Sequence, residues 1–115
     1  MGSRLIIQGG VPLRGTLEAS GAKNACLPIM AASILAQGEV ELDRVPDISD
    51  VRVMAQILRQ IGVQVDFDPL AGRMLLDSSQ LKTTRAPEEL VRRMNASFDV
   101  MGPLLARCGE GEVSM

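Results

Sequence analysis

Lys23 and Asn24, in the run Ser20-Gly21-Ala22-Lys23-Asn24-Ala25, stand at the start of an apolar stretch, Cys26-Leu27-Pro28-Ile29-Met30-Ala31-Ala32, that reads as a helix. The first N–H groups of a helix have no intrahelical partner and carry partial positive charge, so this end favours anions. A lysine there is out of place on local grounds. It fits if an anion binds beside it, held by backbone donors and the ammonium together, and a phosphate or a carboxylate meets that description. Residue types alone leave a second reading open, in which the lysine is solvated and the asparagine caps the helix.

The rest of the composition narrows the chemistry. The 115 residues contain no histidine, which removes Ser-His-Asp and Cys-His nucleophiles, imidazole metal sites and histidine acid–base catalysis. A net charge of −2, with no Trp or Tyr and only Phe67 and Phe98 as aromatics, argues against a nucleic-acid binder. The longest charge-free run, residues 24–38, is too short to span a bilayer, and the first residues lack the apolar core of a signal peptide. The expected compartment is the cytoplasm, with no nucleic-acid or membrane partner. Cys26 and Cys108 are both expected to be buried small apolar residues rather than a disulfide or reactive thiols. Asp50 and the pair Glu88-Glu89 read as helix-start acids, Asp99 as a solvent-side residue and the other arginines as surface.

The elements that must position these groups follow from pattern. Residues 4–8 and 14–19 read as extended pieces around a Gly9-Gly10 turn, and the first helix runs from the Lys23 motif to about Gln37, with Pro28 acceptable only near its start. Residues 39–42 alternate like a half-buried strand. Asp47 is the expected N-cap of a helix whose buried stripe is Val51, Met54, Ala55 and Leu58, widened by Ile57 and Ile61 and closed by Gly62. Strands follow at 63–67 and 73–77. A long helix opens at Pro87, buries Leu90, Val91, Met94, Phe98 and Met101, and kinks at Gly102-Pro103. The Gly-Glu-Val turns at Gly38 and Gly111, each after a helix end, suggest a repeated α/β unit whose second copy reaches only its first strand, and the sequence reads as incomplete at Met115, with an unpaired strand at 112–115.

Ser20-Gly21-Ala22-Lys23-Asn24-Ala25 with Leu27-Pro28-Ile29 resembles the N-terminal motif of the enolpyruvyl transferases, in the bacterial UDP-N-acetylglucosamine 1-carboxyvinyltransferase branch. The likeness continues in order through residues 45–51 and 58–62, Met94-Asn95-Ala96-Ser97, residues 101–107 and Gly111-Glu112-Val113-Ser114, and so covers nearly the whole sequence. It implies an α/β fold, part of an inside-out α/β barrel built from repeated α/β units. Residues 1–21 would be a crossover segment belonging to the second lobe, and residues 22–115 an incomplete first lobe. The reaction implied moves the enolpyruvyl group of phosphoenolpyruvate onto the 3-hydroxyl of UDP-N-acetylglucosamine, the first committed step of peptidoglycan synthesis, and needs no metal or organic cofactor. The partners implied are those two substrates and the remainder of the enzyme.

Residue by residue, the resemblance puts Lys23 and Asn24 at the phosphoenolpyruvate site, Asn95 at the sugar nucleotide and, more weakly, Asp50 near the cleft. Asn95 stands where the family has an arginine, losing a charge and a bidentate fork; Arg92 and Arg93 are candidate replacements, although helix geometry would point them to other faces. The family's general-acid cysteine follows Gly-x-Val-Ser in a Pro-Gly-Gly-Cys loop, so it would lie just beyond Met115. No catalytic residue is assigned within the sequence, and this piece is expected to be inactive alone. The alternatives are a non-catalytic anion-binding or assembly module, a relic, or a relative of the sister enzyme that makes enolpyruvylshikimate phosphate.

Overall fold

A computed structural model describes residues 2–114. Helix α1 (Lys23–Ala32) tightens into a 3₁₀ turn (Ser33–Ala36) before strand β1 (Glu39–Leu42). Helix α2 (Ser49–Ile61) leads to strands β2 (Gln64–Asp68) and β3 (Arg73–Asp77). The chain closes with the single turn α3 (Glu88–Val91), a 3₁₀ segment (Asn95–Val100) and helix α4 (Met101–Cys108). The sheet is antiparallel in the order β1-β3-β2, with Val40 opposite Leu76 and Val65 opposite the same residue on the other side. This is the expected α/β organisation, one helical layer over one small sheet.

Helix α2 forms because its apolar residues recur on one face. Val51, Met54, Ala55, Leu58 and Ile61 are all buried, as is Ile57. It packs on α1, whose Leu27, Met30 and Ala31 are buried, and on the sheet, whose central strand supplies Met74 and Leu76. Gly62 ends α2 at a φ of 118°, and its N–H reaches the carbonyls of Leu58 and Arg59. In the β2–β3 turn the Asp68 carboxylate accepts from the N–H groups of Leu70 and Ala71. No described helix is long and apolar enough to cross a membrane.

Several expectations fail for definite reasons. Residues 4–8 form no strand. Within 2–20 no backbone hydrogen bond is made among the described residues, and Leu5, Ile6, Leu13 and Leu17 lie open to solvent, because a strand exists only by pairing. Asp47 does not cap α2: Ile48 precedes the helix with no side-chain cap, and the Asp47 carboxylate instead accepts from Arg52 Nε at 2.8 Å. Pro28 sits six residues into α1, on its exposed side, where the helix continues with one backbone bond fewer.

The long helix expected from Pro87 is broken. It stops at Val91, Met94 turns extended with a φ of −155°, and Ser97 Oγ donates back to the Val91 carbonyl at 3.2 Å. Gly102-Pro103, the expected kink, falls instead in the first turn of α4, where a missing N–H costs nothing. Phe98 is half exposed and Cys108 exposed, so neither is core. Glu112 is not an unpaired edge: it makes a parallel bridge to Arg85, with its N–H on the Thr84 carbonyl and its own carbonyl taking the Ala86 N–H, both at 2.9 Å.

Arg107 is no surface arginine either. Part-buried, its Nη1 donates to the Ile34 carbonyl at 2.9 Å and to the Ser78 carbonyl, tying α4 to the end of the first helical segment and to the exit of β3. Ser78 Oγ donates to the Ser33 carbonyl at 2.7 Å, so the junction leaves no buried polar side-chain atom unpaired among the described residues.

Gly62→Ala should be costly, because a Cβ there would lie 2.5 Å from the Lys82 nitrogen on a left-handed backbone. A loss of about 2 kcal/mol or more in urea unfolding is expected. Gly102→Ala, which meets nothing within 4 Å, should be neutral or stabilising in the same assay.

Candidate functional site

The approach of the chain to α1 is set by Gly21. A Cβ on it would lie 1.8 Å from the Arg44 carbonyl oxygen, so the need for glycine is close backbone contact and not a left-handed turn. An ion pair between Glu18 and Arg44 at 3.0 Å lies just ahead of this crossing point. Helix α1 then begins at Lys23 behind Ala22, which offers no side-chain cap, and its first turn contains no acidic residue. Cys26 is the first residue of this helix whose N–H finds an acceptor, the Ala22 carbonyl, so three donors at its head have none among the described residues.

Packing of α1 on α2 sets the starts of the two helices side by side. Lys23 Nζ lies 3.1 Å from Asp50 Oδ2, with half of the lysine side chain still in water. The 3₁₀ segment that opens at Asn95 also packs on α1. Together these elements enclose a cleft of about 360 Å³ whose walls include Lys23, Asn24, Asp50 and Asn95, over the buried side chains of Leu27 and Met94. The four residues singled out in the sequence therefore meet at one place.

Arg92 and Arg93 line the same cleft. The expectation that helical geometry would send them elsewhere fails because α3 has already ended at Val91, so residues 92–94 follow no helical spacing. The two differ in their surroundings. The Arg92 guanidinium is bound to the Glu88 carboxylate, whereas Arg93 has no ion pair among the described residues. A neighbouring hollow of about 380 Å³ shares Arg92, Met94 and Asn95 with the cleft and adds the half-exposed Phe98 and Ser114.

Cations, amide donors and free helix N–H groups suit the cleft to an anion. Its ion pairs are exposed ones, typically worth about 0–1 kcal/mol each, so an incoming anion can compete for Lys23 at small cost. No cluster of metal-ligating side chains occurs among the described residues. Neither cysteine lines the cleft. Burial pushes the Cys26 thiol above its ordinary pKa, the opposite of what a reactive thiolate needs. Outside the cleft, the Asp77 carboxyl is held below its usual range by the backbone N–H and then the side chain of Ser79.

The sequence profile of the EPSP synthase (3-phosphoshikimate 1-carboxyvinyltransferase) family matches residues 7–115. The chain belongs to that family. Among relatives in it, the UDP-N-acetylglucosamine 1-carboxyvinyltransferases of Anaeromyxobacter dehalogenans and Magnetococcus marinus are 46% and 45% identical, each over 97% of this chain. The chain spans 27% and 26% of their respective lengths, about a quarter. Among solved structures, the enolpyruvyl transferase NikO from Streptomyces tendae superposes with a TM-score of 0.75 at 29% identity, over 88% of this chain and 23% of that one. The enolpyruvyl-transferase α/β fold, in part, is thereby shown for this chain.

The different settings of the two cysteines can be read directly. A thiol reagent at pH 8 should label Cys108 rapidly and leave Cys26 protected until the fold opens, since Cys26 is both buried and less ionised. Mass spectrometry of the time course, with and without urea, distinguishes the two sites.

Proposed function

We infer that this chain supplies the phosphoenolpyruvate-binding corner of a UDP-N-acetylglucosamine 1-carboxyvinyltransferase. That enzyme forms a bond from the sugar 3-hydroxyl oxygen to the enolpyruvyl carbon of phosphoenolpyruvate and releases inorganic phosphate. The observation that carries the reading is the meeting of Lys23, Asn24 and Asn95 in one cleft at the uncapped head of α1. In this reading the Lys23 ammonium and the free N–H groups of α1 hold the anionic groups of phosphoenolpyruvate, and the Asn24 amide adds a directional donor. Asn95 hydrogen-bonds the sugar nucleotide, and Asp50 orients Lys23 while the cleft is empty.

No group lining the cleft suits the general acid, so protonation of the enolpyruvyl methylene belongs to a residue outside this set. The apolar side chains exposed along residues 5–17 suit a segment that crosses to a second lobe, leaving residues 22–114 as part of the first. A place in peptidoglycan synthesis and in the cytoplasm follows from the same reading. The near identity in length of match to full-length carboxyvinyltransferases favours this acceptor over the shikimate one.

Phosphate release from phosphoenolpyruvate with UDP-N-acetylglucosamine is the direct test. The 115-residue chain alone should show no turnover. In a complete enzyme carrying this chain as its first quarter, Lys23→Ala should cut kcat/KM by about 10- to 100-fold, the worth of a charge-assisted contact. Unchanged kcat/KM, or a preference for 3-phosphoshikimate, overturns the reading.

A further inference from the structure

We propose that Arg93 is the diphosphate grip of this cleft, the residue that binds a second phosphoryl group on a ligand already held near Lys23. This rests on the anion-site reading above and deepens it by assigning the role to a particular side chain. Three cations line the cleft, and two of them are already engaged. Lys23 Nζ is 3.1 Å from the Asp50 carboxylate, and the Arg92 guanidinium is bound to Glu88. Arg93 makes neither an ion pair nor a side-chain hydrogen bond among the described residues, and it is exposed on the cleft wall.

Asn95 cannot take this part itself. Its amide donates hydrogen bonds but contributes no charge, whereas a guanidinium presents a planar fork that matches two phosphoryl oxygens. Position follows from the broken helix. Because α3 ends at Val91 and Met94 is extended, the two arginines and Asn95 reach one cleft from consecutive turns of irregular backbone. Adjacent like charges on Arg92 and Arg93 repel, and a dianionic or more highly charged group between them relieves that repulsion. A single phosphate satisfies Lys23 and the α1 head without needing Arg93. A diphosphate is long enough to use both.

Titration of the 115-residue chain with inorganic pyrophosphate and, separately, with inorganic phosphate, followed by calorimetry, tests the assignment. Arg93→Ala should weaken pyrophosphate at least about tenfold and phosphate less than about threefold. Arg14→Ala, a charge removed from the exposed N-terminal segment, should leave both nearly unchanged. Adding Asn95→Arg to the Arg93→Ala chain should recover most of the lost pyrophosphate affinity, a rescue that a merely structural role for Arg93 would not show. Circular dichroism of each variant checks that the fold is kept. Wild-type pyrophosphate affinity in Arg93→Ala, failure of the rescue, or no measurable pyrophosphate binding by the unaltered chain overturns the proposal. Lys23→Ala separates the two levels: phosphate binding that survives it sinks the anion site, whereas its loss alongside an indifferent Arg93 sinks the diphosphate grip alone.

Discussion

Everything at the cleft depends on how α1 lies against α2. Burial of Met30 and Leu27 from one helix and of Met54, Leu58 and their neighbours from the other fixes the pair, and with it the distance between Lys23 and Asp50. The constraint that admits this arrangement is small and rigid. Gly21 passes so close to the Arg44 carbonyl that no side chain fits between them. Any larger residue would have to lift the start of α1, and the lysine would leave the carboxylate with it.

The cleft is therefore assembled from two different kinds of support. Lys23, Asn24 and Asp50 stand on regular helices whose apolar faces are fully buried, which holds them to one geometry. Arg92, Arg93 and Asn95 stand on a stretch that is neither one helix nor another, anchored by the buried Met94 and by Ser97 bonding back to Val91. A rigid wall faces one built from short turns. The division suits a site in which one partner must be placed accurately and another must be allowed to enter.

Much of this was legible in the sequence, and the reasons are local. The stripe in α2, the glycine that ends it and the alternation in β1 and β2 each record burial or backbone conformation within a few residues, so their elements follow from pattern. Lys23 and Asn24 stood out because a cation at an uncapped helix head conflicts with local electrostatics. What escaped was decided at a distance. Asp47 chose Arg52 over a cap, and apolar periodicity from Leu90 to Met101 hid a break made by Ser97 and Met94. The residues before Gly21 have strand-like composition but no strand to pair with. Arginines 92 and 93 could have been found only by knowing where α3 stops.

Arg107 has a consequence for the order in which the molecule assembles. Its guanidinium joins carbonyls that lie 73 and 29 residues away along the chain, so the junction closes only after the sheet and the first helical segment are already in place. Contacts of such long span form late, because their loop entropy is lost before they return anything. Arg107 is thus a clasp on a finished structure: its effect falls on how fast the folded chain opens, and hardly on how fast it forms.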